Sequence, residues 1–589
     1  MAANPRIVVV GGGLAGLAAV IKIAEMGGQV DLFSIVPVKR SHSVCAQGGI
    51  NAAKNLKGEG DSTWKHFDDT VYGGDFLANQ PPVKAMCEAA PGIIDLLDRM
   101  GVPFNRTAEG LLDFRRFGGT LYNRTAFAGA TTGQQLLYAL DEQVRRYESE
   151  GKVKKYEHWE FLSAVLDSQG VCRGICAMDL RAMEVRTFPA DAVIICTGGI
   201  GAIFGKSTNS VVCTGSAQSA LYQQGAYYAN GEFIQVHPTS IPGEDKLRLM
   251  SESARGEGGR VWVPKAAGDK RDPKAIPEKE RWYFLEEWYP KYGNLVPRDI
   301  ATRAIFKVVY EHNLGIDGKP MVYLDLTHVD RKILDRKLEG ILEIYEKFVG
   351  DDPRDTPMKI FPGMHYTMGG LWVDFNQMTN IPGLYAAGEC EYQYHGANRL
   401  GANSLVSCIW GGFVAGPNSV NYARNLAAAP GNGHFEAEKK KQEAENARIL
   451  NASGTENPFK LWMDLGELMT KNVTVIRHNK ALEETDAELV KMLDRFKHVN
   501  VSDRTQWANT SVQFTRDLYN MLILARVITQ GAFLRNESRG AHYKPDFPER
   551  NDKDFLKTTK ALFCGEAEDP KFEFEPVDVS LIPPRARKY

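Results

Sequence analysis

The sequence predicts an α/β protein in which a Rossmann-like nucleotide-binding domain is interrupted by an inserted α+β domain. A helical domain and a small C-terminal domain are expected to follow. Three observations predict this class: a glycine-rich strand–turn–helix pattern near residue 10, glycine-rich strand patterns that return after residue 357, and a charged stretch with helical periodicity between residues 435 and 531. A chain of 589 residues, 43% of them hydrophobic, is too long for one core, so three or four compact units are expected.

The first predicted unit is a strand, a glycine turn, a helix and a second strand. Arg6 to Val10 has the pattern of a buried strand, Gly11-Gly-Gly-Leu-Ala-Gly16 opens a helical run from Leu17 to Gly27, and Gln29 to Ser34 is the second strand. In this context the G-x-G-x-x-G spacing predicts that backbone N–H groups at the helix N-terminus hold a pyrophosphate. Ser34 stands where an acidic residue usually binds the ribose, which disfavours NAD and leaves ribose recognition open.

The later elements are predicted in order along the chain. The polar, glycine-rich stretch from Arg40 to Asn79 is expected to form long loops, and Pro82 to Met100 a helix. Ala190 to Gly199 reads as a strand that ends in a tight glycine turn. The charged region from Phe435 to Gly531 predicts a helical bundle, and Thr558 to Tyr589 predicts short strands followed by a Pro/Arg tail.

These changes of pattern divide the chain into five segments. The predicted bounds are 1–225 and 358–434 for the two parts of the nucleotide-binding domain, 226–357 for the insertion, 435–545 for the helical domain and 546–589 for the C-terminal domain.

Composition narrows the class of ligand. A formal net charge of -2 and a pI near 6.7 give no basic surface for nucleic acid, so anions must be recognised by locally placed Arg and His, and a metabolite is the expected partner. The nine cysteines contain no C-x-x-C pair, which disfavours zinc ribbons and ferredoxin-like clusters; we expect no metal site. Most thiols are expected to be small core residues, as in a reducing cytoplasm.

No uninterrupted apolar stretch reaches the length of about 18 residues that a membrane span needs. The apolar run from Ile7 to Ile21 is interrupted by glycines at 11, 12, 13 and 16, so we interpret it as a buried strand and helix rather than a signal segment. Membrane attachment would therefore require another subunit.

Two neighbouring segments have the composition of a dianion site. His365-Tyr-Thr-Met-Gly-Gly370 and the segment from His395 to Leu405 bring two imidazoles and the Arg399 guanidinium together with glycines that let backbone approach a flat cofactor. Read with the nucleotide motif, they suggest flavin chemistry on a dicarboxylate.

Further candidate residues lie in the loop after the second strand and in the insertion. His42 lies between two serines, ahead of Gln47-Gly-Gly49; alone, such a histidine is more often a solvated loop residue. The insertion carries His237, Ser251-Glu252-Ser-Ala-Arg255 and Arg298, which singly could be surface ion pairs or a core imidazole. Together they supply groups that can bind a dianion and pass a proton.

These motifs together resemble the flavoprotein subunit of succinate dehydrogenase and fumarate reductase, the catalytic chain of respiratory complex II. The resemblance runs essentially end to end and rests on these stretches: Arg-Ser-His-Ser-Val-Cys-Ala-Gln-Gly-Gly at 40–49, Ser-Glu-Ser-Ala-Arg-Gly-Glu-Gly-Gly at 251–259, Pro-Arg-Asp at 297–299, His-Gly-Ala-Asn-Arg-Leu-Gly at 395–401, and Arg-Asn-Glu-Ser-Arg-Gly-Ala-His at 535–542. Ser-Ala-Arg and Thr214-Gly-Ser216 are similar to the bacterial, menaquinone-linked branch.

The resemblance implies a bound FAD joined covalently to His42. It implies that the cofactor is held by Gly11, Gly13, Leu14, Ala15, Gly16, Ser34, Ser43, Gln47, Gly48, Gly49, Glu389, Ser404 and Leu405. Other family members carry an Asp where this chain has Ser216, so that contact is not carried over. The dicarboxylate clamp would be His237, Ser251, His365 and Arg399, with Arg298 as the proton-transfer residue and Glu252 and Arg255 as its relay.

The resemblance also implies partners and a location. Succinate and fumarate would be the substrates, and electrons would pass through a separate iron–sulfur subunit and a haem b-containing membrane anchor to menaquinone. The chain would lie peripherally on the cytoplasmic face of a bacterial inner membrane and act in electron transport, the tricarboxylic acid cycle or anaerobic respiration. The direction of the reaction stays undetermined, because the same residues serve both.

Two other kinds of protein could carry some of these motifs. L-aspartate oxidase is a soluble relative with a similar clamp, but it lacks the flavin-linking histidine, so His42 argues against it. A non-catalytic nucleotide-binding module would explain the glycines, yet it would leave the set Arg298, Arg399, His237 and His365 without a purpose.

Overall fold

The computed structural model describes residues 4–243, 246–426 and 433–588. Residues 244–245 of the predicted insertion, 427–432 of the predicted nucleotide-binding domain and Tyr589 of the predicted tail lie outside the described residues.

The described strands are β1 (Arg6–Val10), β2 (Gln29–Ser34), β3 (Ile50–Asn51), β4 (Phe114–Arg115), β5 (Thr125–Ala126), β6 (Val153–Glu157), β7 (Trp159–Leu166), β8 (Cys172–Asp179), β9 (Val185–Pro189), β10 (Ala192–Ile195), β11 (Tyr228–Ala229), β12 (Ile234–Ile241), β13 (Arg248–Leu249), β14 (Arg260–Pro264), β15 (Arg281–Trp282), β16 (Val322–Asp325), β17 (Met358–Thr367), β18 (Gly370–Leu371), β19 (Leu384–Ala386), β20 (Lys557–Leu562) and β21 (Lys571–Pro576). The described helices are α1 (Leu14–Glu25), α2 (Thr63–Gly73), α3 (Gln80–Arg99), α4 (Thr132–Ser149), α5 (Ser216–Gln223), α6 (Ser253–Gly256), α7 (Phe284–Trp288), α8 (Arg298–Phe306), α9 (Arg331–Lys337), α10 (Glu339–Val349), α11 (Asn403–Arg424), α12 (Gly433–Leu450), α13 (Pro458–Val473), α14 (Asn479–Phe496), α15 (Thr510–Leu534) and α16 (Asp552–Phe555).

A parallel sheet of five strands, in the order β19-β10-β1-β2-β6, forms the nucleotide-binding part. Strands β1 and β10 are almost entirely apolar because both faces are covered: helices α1, α4 and α11 pack on one face and the antiparallel sheet β7-β8-β9 lies on the other. The predicted strands at 6–10 and 29–34 and the strand within 190–199 are confirmed.

The first helix begins earlier than predicted, at Leu14 instead of Leu17. The glycines explain the difference. A Cβ on Gly16 would lie 1.9 Å from the carbonyl O of Gly11, so Gly16 belongs inside the first turn, where only hydrogen fits. Gly11 itself has a φ of +118° and packs against the Cys196 backbone, which brings the turn close to the end of β10.

The second large sheet has the order β13-β12-β17-β16-β14-β15, with antiparallel pairings. It packs its apolar face against helices α6 to α10. Strand β17 begins at Met358, just after the predicted boundary of 357, and pairs with β12 and β16 of this sheet.

The predicted helical bundle is confirmed: α13, α14 and α15 pack around one apolar core, while α12 lies against β7 and β9. The predicted short strands near the end are also confirmed, because β20 and β21 pair with each other and β20 pairs with β11. Residues after 556 are thereby tied to the middle of the chain.

The prediction of loops from Arg40 to Asn79 is wrong for α2. Ser62 caps this helix, since its hydroxyl accepts a hydrogen bond from the Lys65 N–H at 3.2 Å. Its buried face carries the polar residues His66 and Thr70 beside Phe67 and Val71, so the sequence shows little apolar periodicity.

The nine cysteines all lie in the described part of the chain, and none forms a disulfide. Six are buried, as expected for small core residues. In the described part of the chain, every helix is too short or too polar to cross a membrane. Among the same residues, no three His, Cys, Asp or Glu side chains are grouped as a metal ion would need.

Candidate active site

One cavity of about 480 Å³ joins the two large sheets. It starts at the carboxyl ends of β1, β2 and β10, where ligands bind in open α/β sheets, and extends to β12, β17 and the start of α8. Its size is that of an ordinary ligand site. Almost all the site residues predicted from the sequence line it: Gly11, Gly13, Leu14, Ala15, Ser34, His42, Ser43, Gln47, Gly48, Gly49, His237, Ser251, Glu252, Arg298, His365, Glu389, Arg399, Ser404 and Leu405.

Three predicted or candidate residues lie behind the cavity wall. Gly16 packs on Gly11, as described above, and Arg255 contacts Glu252 rather than the cavity. His395, which we expected beside the dianion, is buried with its Nε2 3.0 Å from the Ser407 Oγ. His395 therefore supports the start of α11. Of the three cationic or imidazole side chains nominated in segments 365–370 and 395–405, only His365 and Arg399 line the cavity.

The nucleotide end of the cavity fits a dinucleotide such as FAD. The residue at the N-cap of α1 is Gly13, which has no side chain to cap the helix. The Leu14 N–H donates to the Ser43 Oγ at 3.2 Å, and the other N–H groups of the first turn, with the helix dipole, are available to a phosphate. Two buried polar atoms that belong to cavity-lining residues, the Gln47 Oε1 and the Thr197 Oγ1, have no hydrogen-bond partner among the described residues. Such atoms need a ligand.

His42 lies in a helical turn at 42–45 between the two ends of the cavity. The Ser210 backbone N–H donates to its Nδ1 at 3.2 Å, and the Asn209 Nδ2 lies 3.1 Å from its Nε2. Burial and the nearby charge of Lys246 lower the pKa of His42 to about 4. The imidazole is therefore neutral at pH 7; its Nδ1 is held by the backbone, and its Nε2 contacts the Asn209 side chain.

Arg399 is a buried cation without a counter-ion. Its side chain is 3% exposed and stacks on the Tyr366 ring at 4.5 Å, and it makes no hydrogen bond or ion pair with any described residue. Burial and the charge of Arg298 lower the pKa of Arg399 to about 9. A buried guanidinium in this position favours an incoming carboxylate, which it can bind with two parallel hydrogen bonds.

A second group of charges forms a continuous chain behind Arg399. The Glu252 carboxylate accepts hydrogen bonds from Arg298 Nε at 3.0 Å and from Arg255 Nη2 at 2.9 Å, and all three side chains are buried. Burial raises the pKa of Glu252, but Arg298 and Arg255 outweigh that effect and hold it below its usual range. The three side chains therefore form a continuous hydrogen-bonded chain from Arg255 through Glu252 to Arg298.

Two imidazoles complete the wall beside Arg399. Their ring centroids are 5.0 Å apart; Thr239 holds the Nδ1 of His237, and the Thr208 Oγ1 lies 2.8 Å from the Nδ1 of His365. Neither Nε2 has a partner among the described residues. Burial, followed by the charge of Arg298, lowers both pKa values well below the usual range, so both rings are neutral hydrogen-bonding groups.

The charges in this end of the cavity complement a dianion. Three guanidiniums, on Arg255, Arg298 and Arg399, face the single ionised carboxylate of Glu252, which leaves two positive charges in a buried space. Burial raises the pKa of the neighbouring Glu389 to about 7, so that carboxyl adds at most a partial negative charge. A small molecule with two carboxylates would neutralise the cluster.

The neutral imidazoles make stability depend on pH. The unfolded chain takes up a proton on each histidine near pH 6.5, whereas folded His365 stays neutral, so the free energy of unfolding should fall as the pH drops below about 6.5, by up to about 1.4 kcal/mol per pH unit for each such ring. In His365→Asn the free energy of unfolding should therefore fall less steeply with decreasing pH, because one of these histidines is gone. Denaturant unfolding of the ligand-free protein between pH 5 and 7.5 measures it. His498→Asn, which removes an exposed imidazole, should follow the parent curve; equal slopes in all three proteins would contradict the account.

Several residues in or beside the cavity were missed by sequence reasoning. Asn209 connects the His42 ring to the His365 backbone, because its Nδ2 lies 3.1 Å from the His42 Nε2 and donates to the His365 carbonyl at 3.0 Å. Glu160 and Asp517 line the cavity near Ser34, and burial raises both pKa values. No local signal marks these residues, since each acts with partners that are distant in the sequence.

Comparison with known proteins finds relatives that match this chain over nearly its whole length. Residues 6–405 match the family model of the FAD binding domain, and residues 462–589 match the fumarate reductase flavoprotein C-terminal model. The succinate dehydrogenase flavoprotein subunit of Bacillus subtilis (strain 168) is 67% identical over 586 residues, which cover 99% of this chain and 98% of that protein. The fumarate reductase flavoprotein subunit of Escherichia coli (strain K12) is 34% identical over 592 residues, or 99% and 95% of the two chains.

Solved structures of quinol-fumarate reductases have the same fold as this chain. A quinol-fumarate reductase with menaquinol molecules has a TM-score of 0.91 and 32% identity, and the match covers 99% of both chains. A mutant of E. coli quinol fumarate reductase FrdA has a TM-score of 0.90 at 32% identity, covering 99% of this chain and 98% of that one. The fold class predicted from the sequence is confirmed.

Proposed function

This chain belongs to the family of succinate dehydrogenase and fumarate reductase flavoproteins, and from that premise we infer how its cavity interconverts succinate and fumarate at a bound FAD. The family predicted from the motifs is confirmed, and the enzyme is a quinone-linked oxidoreductase of the complex II type. The alternative of an L-aspartate oxidase-like enzyme is not favoured.

The observation that supports a dicarboxylate most directly is the buried Arg399, which has no partner among the described residues and belongs to a cluster with two surplus positive charges in total. We propose that Arg399 binds one carboxylate of the substrate and that His237, His365 and Ser251 donate to the other. Neutral imidazoles suit this role, because they add donors without adding charge that would have to be neutralised. Fixing both ends among buried side chains positions the central carbons for reaction.

A bound FAD supplies the acceptor or donor of the hydride. Arg298 would hold or deliver the proton at the neighbouring carbon, because its guanidinium lines the cavity while its Nε stays bonded to Glu252. Arginine is a poor base in water, yet it is a plausible acid toward a strongly basic carbon centre. The contact of Arg255 with Glu252 provides the path by which the proton on Arg298 is replaced.

Cofactor attachment is the finer part of the proposal. We propose that His42 is joined through Nε2 to the 8α-methyl carbon of FAD, since Nδ1 accepts from the Ser210 backbone N–H, whereas the partner of Nε2 is the Asn209 side-chain amide, which can rotate away. The pyrophosphate would lie on the N-terminus of α1, with Gln47, Gly48, Gly49, Glu389, Ser404 and Leu405 along the rest of the cofactor. A covalent bond raises the flavin potential, which succinate, a weak reductant, requires.

Acid precipitation tests this attachment. We expect the yellow colour of the purified protein to stay in the pellet, whereas flavin released to the supernatant would contradict the bond. His42→Ser should keep FAD non-covalently and lose succinate oxidation more than fumarate reduction, because each ~30 mV of lost potential makes the equilibrium constant for flavin reduction by succinate about tenfold less favourable. His395→Ser, which removes an imidazole outside the cavity, is the control that should retain colour in the pellet. Equal losses in both directions would contradict the claim that the covalent bond raises the flavin potential.

The partners are proposed from the relatives. Similar chains are parts of succinate dehydrogenase and quinol-fumarate reductase complexes. We therefore propose that this chain passes electrons to an iron–sulfur subunit bound to a haem b-containing membrane anchor, with menaquinone as the final partner, and lies on the cytoplasmic face of the membrane. We also propose that the segments 226–357 and 435–545 act as the capping and helical domains around the nucleotide-binding domain.

A further inference from the structure

Residues 577–588, here called the strap, run from the end of β21 across helices α2 and α3. The Gln80 side chain holds its middle: Oε1 accepts from the backbone N–H groups of Leu581 and Ile582 at 2.9 and 2.8 Å, and Nε2 donates to the Ile582 carbonyl at 2.8 Å. Further along, the Lys588 N–H donates to the Tyr72 hydroxyl at 2.6 Å. The strap is thereby attached to the nucleotide-binding part at two separate places.

From this attached segment, Arg587 reaches α8. Its Nη1 and Nη2 donate to the two carboxylate oxygens of Asp299 at 3.0 and 3.1 Å, and its Nη1 also lies 3.8 Å from Asp75. The side chains of Arg587 and Asp299 are 9% and 2% exposed. Such a two-point, buried contact is stronger and more directional than a surface ion pair. Asp299 lies next to Arg298 in the first turn of α8.

Asp299 is also connected to the other substrate arginine. The Asn398 Nδ2 lies 3.4 Å from the Asp299 Oδ1, and the Asn398 Oδ1 accepts from the Gln235 Nε2 at 2.9 Å. Gln235 in turn accepts from Arg298 Nη1 at 3.0 Å and donates to the Arg399 carbonyl at 2.8 Å. One hydrogen-bonded circuit therefore contains the strap contact, the residue before Arg399 and the Arg298 guanidinium.

We propose that Arg587 is a positioning residue that holds the start of α8 against the nucleotide-binding part and so fixes Arg298 relative to Arg399. It touches neither substrate nor cofactor and acts through Asp299. The inference rests on the proposed function, in which those two arginines act on one small molecule. A displacement of about 1 Å between groups that must act together can cost about 10²-fold in rate, so a contact at the base of α8 can control catalysis.

The test compares Arg587→Ala, Asp299→Asn and the conservative Arg587→Lys in the assembled complex. We expect kcat per covalently bound flavin to fall about 10- to 100-fold in the first two variants, with partial recovery in Arg587→Lys and a smaller change in KM. Because proton transfer at Arg298 would become slower, the solvent deuterium isotope effect on kcat should increase. The double variant should lose no more than either single one, since both changes remove one contact.

Arg585→Ala is the matched control. Arg585 belongs to the same strap and pairs with Asp68 at 2.7 Å, but this pair is exposed and does not reach α8, so its rate should stay within twofold of the parent. Hydrogen exchange of residues 298–306 without substrate gives a readout independent of turnover; we expect faster exchange in Arg587→Ala and Asp299→Asn, and parent-like exchange in Arg585→Ala.

The proposal is overturned if Arg587→Ala keeps the parent kcat and isotope effect, if Arg585→Ala shows the same loss, or if the loss only follows reduced flavin content. Unchanged exchange in α8 would also overturn it. A parent enzyme that does not interconvert succinate and fumarate would refute the proposed function instead, while the exchange experiment would still report on the contact.

Discussion

Arg298→Ala is expected to slow succinate–fumarate interconversion by about 10²- to 10⁴-fold while leaving flavin attached, because it removes the group that transfers the proton at the reacting carbon. The residue lines the cavity and is held by Glu252 and Gln235, so no neighbouring side chain can replace it without rearrangement. Steady-state rates in both directions, normalised to covalent flavin, measure the effect. Turnover near the parent level would remove Arg298 from the mechanism.

Loss of folding must be separated from loss of chemistry in this variant. Removing Arg298 leaves the buried Glu252 with Arg255 as its remaining cation, and breaking a buried ion pair costs about 3–5 kcal/mol. Adding Glu252→Gln would in turn leave the buried Arg255 without its carboxylate, so Arg298→Ala with Glu252→Gln should be less stable than Arg298→Ala and equally inactive. Arg298→Lys keeps the charge but not the planar donors, and should remain well below the parent rate.

Arg399→Met is expected to have two opposite effects. Dicarboxylate affinity should fall by at least about 2 kcal/mol, or roughly 30-fold, because the group that binds one carboxylate is lost. The ligand-free protein, in contrast, should become more stable by about 1–4 kcal/mol, since a buried cation without a partner among the described residues is replaced by an apolar side chain of similar length.

Thermal melting with and without malonate measures both effects. Malonate should raise the melting temperature of the parent. Without malonate, Arg399→Met should melt at a higher temperature than the parent, and malonate should change its melting temperature little. Arg477→Met is the matched control: Arg477 is equally buried but donates to the Val473 carbonyl, at 2.8 Å from Nη2, so its replacement should destabilise the protein. A lower melting temperature for Arg399→Met, together with an unchanged malonate shift, would contradict the assignment.

Much of the fold could be predicted because its signals are local. The glycines at 11, 13 and 16 between two apolar strands predict a nucleotide-binding unit, and the structure contains it with the helix starting at Leu14. The signal failed for α2, where His66 and Thr70 face the interior and hide the apolar periodicity. Burial of these polar residues depends on partners elsewhere: the His66 Nε2 lies 2.9 Å from the Asn403 Oδ1, 337 positions away.

The site shows the same division. Residue types and their local patterns were sufficient to nominate His42, His237, His365, Arg298 and Arg399, because the chemistry of a dianion and a flat cofactor restricts which side chains can serve. The same patterns nominated His395, whose ring instead contacts Ser407. A pattern gives a side chain's chemistry but not its direction.

The sequence by itself determined the class of this protein: its nucleotide motif, its family and the kinds of groups in its site follow from residues that are neighbours in the chain. Only the tertiary structure decided which groups meet. It left Arg399 without a partner among the described residues, connected Arg255 through Glu252 to Arg298, and brought Arg587 to Asp299 across 288 positions. The physical reason is that ion pairs, burial and pKa values depend on distances of a few ångströms between segments, and those distances are set by the packing of the whole chain.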